Sequence, residues 1–230
     1  MTHTFLLILL QKPVIAEKAK EFSLLELITA GGPLGTIVMI LLFLLLVLSL
    51  YIFFERFFSI KKATIQNSDL INNIRDHIHD GKIAPAIELC KRTNTPESRM
   101  LHKGLMRFGR QTREISDSIE NTAQIEIYKL EKNVGILATI AGAAPMLGFL
   151  GTVIGMIIAF FAAANQGEQS NPQMLANGIY TAMANTAAGL MVGLTAQLFY
   201  NILVVKVDKS IHYLQASAND FLDILNKPIV

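Results

Sequence analysis

Charged side chains are missing from two long stretches of this 230-residue chain: residues 133–167 and 169–205 hold no Lys, Arg, Asp or Glu, with Glu168 alone between them. A soluble core helix needs no run of that length, whereas one crossing of a bilayer takes ~20 apolar residues. Tryptophan is absent and cysteine occurs once, at Cys90, so neither a disulfide nor a thiolate zinc set follows. No glycine-rich phosphate loop is present, which leaves ATP hydrolysis without a site. His77 and His79, two residues apart, face away from each other on a helix and suit a solvated surface better than a metal. The expectation is a non-enzymatic protein with no cofactor and no metal. A net charge of +2 gives no reason to expect nucleic acid.

What the charge-free stretches do contain is small and mildly polar. Segments such as AGAAPMLGFLGTVIGM and GIYTAMANTAAGLMVG place Gly, Ala, Thr and Asn where an idle anchor would carry Leu and Val. Small residues let backbones approach, and hydroxyls and amides within a membrane need partners or water. Residues 34–54, LGTIVMILLFLLLVLSLYIFF, form the contrast: continuous aliphatic and aromatic side chains suited to lipid. The fold class expected is therefore all-α, a three-span helical membrane protein in contact with membrane lipid.

Basic residues set the orientation. Fourteen of the 20 Lys and Arg fall between Glu55 and Asn133, including Arg56, Lys61, Lys62, Lys129 and Lys132, whereas residues 165–175 have none. The positive-inside tendency puts the long loop and the C-terminus in the cytoplasm and the N-terminus outside. The chain then divides into a periplasmic segment 1–33, a first span 34–56, a cytoplasmic helical loop 57–132, a second span 133–164, a periplasmic connection 165–175, a third span 176–205 and a cytoplasmic C-terminal helix 206–230. Residues 1–16 leave two readings open, a short signal peptide or a retained lead-in, since the apolar run is only Phe5 to Leu10 and no Lys or Arg precedes it. Phe22, Leu24, Leu25, Leu27 and Ile28 beside charges suggest an amphipathic helix ending at Gly31-Gly32-Pro33.

Gly81, Pro85, the Thr93–Pro96 cluster and Gly104 punctuate the loop into about four helical pieces. Ile115, Ile119, Thr122, Ile127, Leu130, Val134 and Leu137 keep helical spacing into the second span, which predicts a helix entering it unbroken from the cytoplasm. Val204, Val207, Ile211, Leu214, Ala218, Phe221 and Leu225 alternate gaps of three and four, so the third helix should continue to Asn226-Lys227-Pro228. Running from near Pro172, it would be ~80 Å long. These extensions and the loop helices are expected to pack together as a cytoplasmic helical domain.

At 100° per residue, Ala141, Pro145, Gly148, Thr152, Gly155, Ala159 and Ala163 share one side of the second span. Gly178, Ala182, Asn185, Thr186, Gly189, Gly193, Gln197 and Tyr200 do the same on the third. Gly151-x-x-x-Gly155 and Gly189-x-x-x-Gly193 are close-packing spacings. A lone threonine in a span commonly bonds its own backbone and does nothing more. Thr152, Thr186 and Asn185 on faces this rich in glycine instead point to a hydrated channel lining, and one subunit cannot hide two such faces from lipid.

GILATIAGAAPMLGFLGTVIGMI resembles the "LATIxxxAPxxGLLGTVxGM" second span of the ExbB/TolQ/MotA family of ion-driven energy transducers. GIYTAMANTAAGLMVGLTAQLFYN is similar to that family's "GIAEALxxTAxGLxxAIPxxxxYN" third span. Glu55-Arg56 after the first span, the GG before it and the phrases AIELCKRTNTP and KGLMRFGR extend the likeness from about Leu24 onward, closest to ExbB. The resemblance implies an inner-membrane homopentamer around the helices of a dimeric ExbD/TolR-like single-span partner, with ion flow through the partner's Asp coupled to a TonB-like protein and nutrient uptake at the outer membrane. By the same resemblance Thr152 and Thr186 line the ion path and Pro145 is its pore-side proline. The family glutamate of "GIAEAL" falls on Thr181, so a proton-relaying carboxylate has become a hydroxyl.

With no acid in residues 34–54 or in the second and third spans, the titrating group must come from a partner, because an isolated charge at mid-bilayer costs several kcal/mol. The candidate ion-path residues are Thr152, Thr186, Thr181, Asn185 and Pro145; Gly148, Gly151, Gly155, Gly189 and Gly193 are the candidate packing residues. Alternatives are a TolQ-like or other stator of the same family, Na+-driven through neutral oxygens, or a non-conducting scaffold. A secondary transporter is disfavoured, since three spans show no inverted repeat.

Overall fold

The computed structural model describes residues 32–63, 68–165 and 172–226, and all elements among them are α-helices. In chain order they are α1 (Gly32–Ala63), α2 (Ser68–His79), α3 (Ile83–Thr93), α4 (Pro96–Leu105), α5 (Thr112–Glu131), α6 (Val134–Asn165) and α7 (Pro172–Asn226). The all-α expectation holds for these residues, and four helices do divide the loop. The amphipathic helix and the signal peptide expected before Gly32 lie outside the described residues, as do residues 166–171 of the connection between α6 and α7. Three helices are long and apolar enough to cross a membrane, beginning at Leu34, in the stretch ending at Asn165, and at Pro172.

The chain forms two compact units. One comprises Leu44–Pro145 and Met191–Val230; the other comprises Met146–Leu190 with residues up to Phe43.

In the first of these, the short helices make a core of their own. Leu70, Ile74 and Ile78 of α2 recur every fourth residue and meet Ala86 and Cys90 of α3, Met100, Leu101 and Leu105 of α4, and Ile115 and Ile119 of α5. Phe221 and Ile224 of α7 close this core, both within the seam read from the sequence or next to it. Burial of each large aliphatic or aromatic side chain stabilises by about 1.5–3 kcal/mol, which is what holds helices of 10–12 residues that would be marginal alone. Helix starts and stops are locally encoded. Asn94 ends α3 in the left-handed region (φ 46°), with its N–H donating to the Cys90 carbonyl. Thr95 then caps α4, its hydroxyl accepting from the Ser98 N–H while the Ser98 hydroxyl accepts from the Thr95 N–H. Gly104 is required where α4 crosses α7 and α5: a Cβ there would lie 2.8 Å from the Phe221 ring and 2.9 Å from Ile119.

A second cluster in the same unit joins Ile52 and Ile60 of α1 to Leu130 of α5, Val134 and Leu137 of α6, and Leu203 and Val207 of α7. Phe53 stacks on Phe199 with centroids 4.2 Å apart, and the Lys206 ammonium lies 4.6 Å from the Phe57 ring centroid.

The expected unbroken entry into the second span is corrected here. α5 stops at Glu131, Lys132 turns to ψ 132°, Asn133 takes φ 65°, and α6 starts afresh at Val134. The hydrophobic spacing survives because only two residues are withdrawn from the ladder. Asparagine tolerates the left-handed conformation better than other non-glycine residues. The break deprives the last α5 carbonyls of helical donors. Arg56, almost fully buried on α1, supplies one: its Nη1 donates to the Lys129 carbonyl at 3.4 Å while its Nε and Nη2 pair with Glu55. Glu126, also buried, is held by Arg99 at 2.5 Å and Lys129 at 2.7 Å.

In the other unit, α6 and α7 touch through residues without side-chain bulk. Cβ atoms added at Gly155 and Gly178 would lie 2.8 Å from the Cβ of Ala182 and 2.6 Å from that of Ala159. The outward surfaces are apolar: Phe149, Ile157 and Phe161 of α6 and Met183 and Leu190 of α7 are all more than half exposed. Patches of this size do not persist in water and suit lipid or neighbouring helices.

Candidate functional site

At Gly148, α6 meets the backbone of α7 in this unit. A Cβ there would stand 2.8 Å from the Asn185 carbonyl oxygen, 3.0 Å from the Gly189 Cα and 3.2 Å from the Thr186 Cα. That contact brings two hydroxyls together one turn further on. Thr152 and Thr186 hydrogen-bond directly through their Oγ1 atoms. Around them lie two backbone acceptors: the Thr186 hydroxyl reaches the Gly148 carbonyl at 3.1 Å, and the Thr152 hydroxyl reaches the Ala182 carbonyl at 3.2 Å and the Gly148 carbonyl at 3.3 Å.

Two hydroxyl protons thus serve three kinds of acceptor. Either Thr152 donates to Thr186, which donates to Gly148, or Thr186 donates to Thr152, which donates to Ala182. Both arrangements satisfy every hydroxyl proton, so the direction of the O–H chain can reverse without breaking the packing. Both threonines are half-buried, leaving one side of the pair reachable from outside the chain.

The neighbouring polar residues are deeper. Asn185 is 3 % exposed, its side chain wedged between the Gly151 backbone of α6 and Gly35 of α1. Thr181 is 5 % exposed and donates to the Asn177 carbonyl of its own helix at 2.7 Å, which satisfies its hydroxyl locally. Pro145 belongs to the other unit, where its missing N–H leaves the Ala141 carbonyl without its helical donor and Gly193 of α7 comes against the ring and that oxygen, with a Cβ there falling 2.6 Å and 3.1 Å away. The sequence-derived set therefore comprises a joined pair (Thr152, Thr186) and two buried residues (Thr181, Asn185) in one unit, and Pro145, packed against Gly193, in the other. The candidate packing glycines Gly148, Gly151, Gly155 and Gly193 all make helix contacts, and Gly189 presents its Cα to Gly148.

Sequence periodicity aimed the two small-residue faces at a shared aqueous space. In the structure Gly148, Gly151, Gly155 and Gly178 are used in contact between α6 and α7, and the hydroxyl pair stays half-buried. No acid or base lies in residues 133–167 or 169–205, so the pair is a neutral oxygen site. It can accept, donate or pass a hydrogen bond, or offer oxygens to a cation, and it cannot itself carry a charge.

These features define a polytopic helical membrane protein whose two small-residue spans meet at a half-buried pair of hydroxyls. Comparison with known proteins agrees. Residues 92–216, more than half of the chain, match the model of the MotA/TolQ/ExbB proton channel family. A biopolymer transport protein ExbB homolog of Methanothermobacter thermautotrophicus is 26% identical over 193 residues, covering 82% of this chain and 66% of that protein. The biopolymer transport protein ExbB of Aquifex aeolicus is 35% identical over 91 residues, 40% of this chain and 60% of its own length. The Tol-Pal system protein TolQ of Haemophilus influenzae is 41% identical over 83 residues, 36% of each chain. The chain spans about two thirds or less of the length of these relatives. This protein belongs to the MotA/TolQ/ExbB family, a family of proton channels and not of enzymes.

Proposed function

We propose that this chain is an ExbB-like subunit of an ion-motive-force-driven energy-transducing channel in the bacterial inner membrane. In this reading the N-terminus is periplasmic, the loop helices and the distal part of α7 are cytoplasmic, and copies of the chain form a homopentamer around an ExbD/TolR-like single-span partner. Protons pass by way of a carboxylate on that partner, and its movement drives a TonB-like protein in nutrient uptake at the outer membrane. The observation that carries the proposal is the reversible Thr152–Thr186 hydroxyl pair in an acid-free part of the family-matched region. A group that must pass protons without holding charge needs donors and acceptors that can exchange roles, and this pair has them.

The test is Thr152→Val with Thr186→Val, which keeps shape and removes both hydroxyls. Gradient-driven uptake should fall to the level of an uncoupled cell while the complex with the partner still co-purifies. Full uptake in the double variant overturns the reading.

A Na+-driven stator is the second reading, favoured by one observation: the position of the family's glutamate is Thr181, buried and already bonded to its own backbone. A sodium ion needs oxygen ligands and no titration. Glu at position 181, measured for pH and Na+ dependence of uptake, separates the two: a shift in pH profile alone supports proton drive, and loss of a pre-existing Na+ requirement supports the second. Because the small faces also pack α6 on α7, a non-conducting scaffold makes the contrary forecast that the valine pair is silent.

A further inference from the structure

Among the described residues, one carboxyl group outside the hydroxyl site is buried with no cation hydrogen-bonded to it. Glu97, in the first turn of α4, is 3 % exposed. Its Oε1 accepts from the Ser217 hydroxyl at 2.7 Å and its Oε2 from the Tyr213 hydroxyl at 2.9 Å, both on α7. A small cavity adjoins it, lined also by Ala63 of α1, Leu130 of α5 and Ser210 of α7. The groups that face Glu97 are thus hydroxyls from α7, apolar side chains from α1 and α5, and from α3 the Cys90 thiol, itself 1 % exposed. Arg99, one turn along α4, is committed to Glu126 and to Asn94. Every other buried acid in the unit has a basic partner; Glu97 among the described residues has only neutral donors.

We propose that Glu97, Ser217 and Tyr213 form a proton-controlled latch that fastens the distal part of α7 to α4, closed while Glu97 carries a proton and loosened when it is ionised. Two hydroxyls do not replace the water that a carboxylate loses on burial, and among the described residues no basic side chain pairs with it to offset the loss. Burial accordingly pushes the Glu97 carboxyl up from its ordinary value, against the smaller opposing effect of the Ser217 and Tyr213 hydrogen bonds. The sign follows from linkage. A carboxyl whose closed-state value is raised favours closure fully below its ordinary value of ~4.3, and that contribution is lost as pH rises from there to the raised value. Closure is therefore tight in an acidified compartment and relaxed in an alkaline one. α7 is also the helix that carries Thr181, Asn185 and Thr186, so the latch acts on the same element as the hydroxyl pair.

Cys90 provides the reporter. It is the single cysteine of the chain, it lies buried in the field of Glu97, and burial first and Glu97 second push its thiol up to about 12. Labelling therefore requires opening. The experiment measures the rate of N-ethylmaleimide labelling of Cys90 in the full chain, in membranes, from pH 5.5 to 8.5, for the wild type and for Glu97→Gln, which mimics the protonated carboxyl. Taking the ratio of the two rates at each pH removes the intrinsic pH dependence of thiol chemistry. The ratio should rise with pH by up to about tenfold per unit within the titration window, the limit for one linked proton, and then level off. A ratio that is flat or falls with pH overturns the proposal. Tyr213→Phe supplies an independent arm, because it takes one of the two hydroxyls from the latch in either protonation state and penalises the ionised closed state more. Its labelling should exceed the wild type at pH 5.5 and by a larger factor at pH 8.5, and rates equal to the wild type at both pH values also overturn the latch.

Discussion

Gly148→Ala tests the site more sharply than removing the hydroxyls, because it leaves both threonines in place. In a helix, Gly to Ala gains about 1 kcal/mol in propensity. At this position the new methyl meets backbone on every side, 2.8 Å from the Asn185 oxygen and 3.0–3.2 Å from two α-carbons. Carbon contacts are relaxed only at about 3.5–4.0 Å, so α6 and α7 must separate by roughly 0.5–1 Å. Overpacking of that kind costs about 1–3 kcal/mol, which leaves a net destabilisation of about 0–2 kcal/mol. The hydroxyl contacts have less room. Bonds of 3.1 Å from Thr186 to Gly148 and 3.2 Å from Thr152 to Ala182 pass beyond hydrogen-bonding range with the same displacement. The expected outcome is a protein that folds and assembles, melts slightly lower by far-ultraviolet circular dichroism in detergent, and loses most gradient-driven uptake. Gly142→Ala is the matched control on the same helix, since nothing lies within 4 Å of a Cβ there, and it should retain uptake and melt no lower than the wild type. Wild-type uptake in Gly148→Ala, or equal losses in the two variants, would refute the reasoning.

Arg56→Ala uncovers the Lys129 carbonyl and strands Glu55, so it should cost about 1–3 kcal/mol and speed amide exchange around Asn133, with Arg56→Lys restoring only part. Asn133→Gly should be neutral or stabilise by up to about 1 kcal/mol, whereas Asn133→Val should destabilise by about 1–2 kcal/mol, because only glycine takes φ 65° without cost; thermal melts compare them. Thr95→Ala removes the α4 cap and should lower stability by about 1 kcal/mol, read in the same assay.

The three apolar helices were legible because charge is excluded from bilayer-crossing segments: residues 27–54, 133–167 and 169–205 hold no Lys, Arg, Asp or Glu. The seam of Val207, Leu214 and Phe221 was equally readable, and all three are buried. What the sequence could not supply was the partner of each face. Periodicity groups Gly148, Thr152 and Gly155 on one side of a helix, and it is silent on whether that side meets water or another helix of the same chain. Pro145 shares that side by angle, yet it stands two turns from Thr152 and packs in the other unit. The interruption at Lys132–Asn133 was hidden because the hydrophobic repeat resumes in register after it, and a lone asparagine is common within helices. Glu97 was missed for a similar reason: an acid in a first helical turn beside Thr95 and Pro96 reads as a surface residue favouring the helix dipole, and nothing local reveals that Ser217 and Tyr213, over 110 positions later, enclose it.

The break between α5 and α6 has a consequence for biosynthesis. Helical order spreads along a chain only while each new residue extends an existing turn, and it halts where that turn is interrupted. Thr112–Glu131 and Val134–Asn165 must therefore nucleate separately. The ribosome delivers α5 first, and its apolar residues Ile115 and Ile119 already have α2, α3 and α4 to collapse upon. The following apolar segment can then enter the lipid as an independent helix, without pulling apart a bundle that has begun to form.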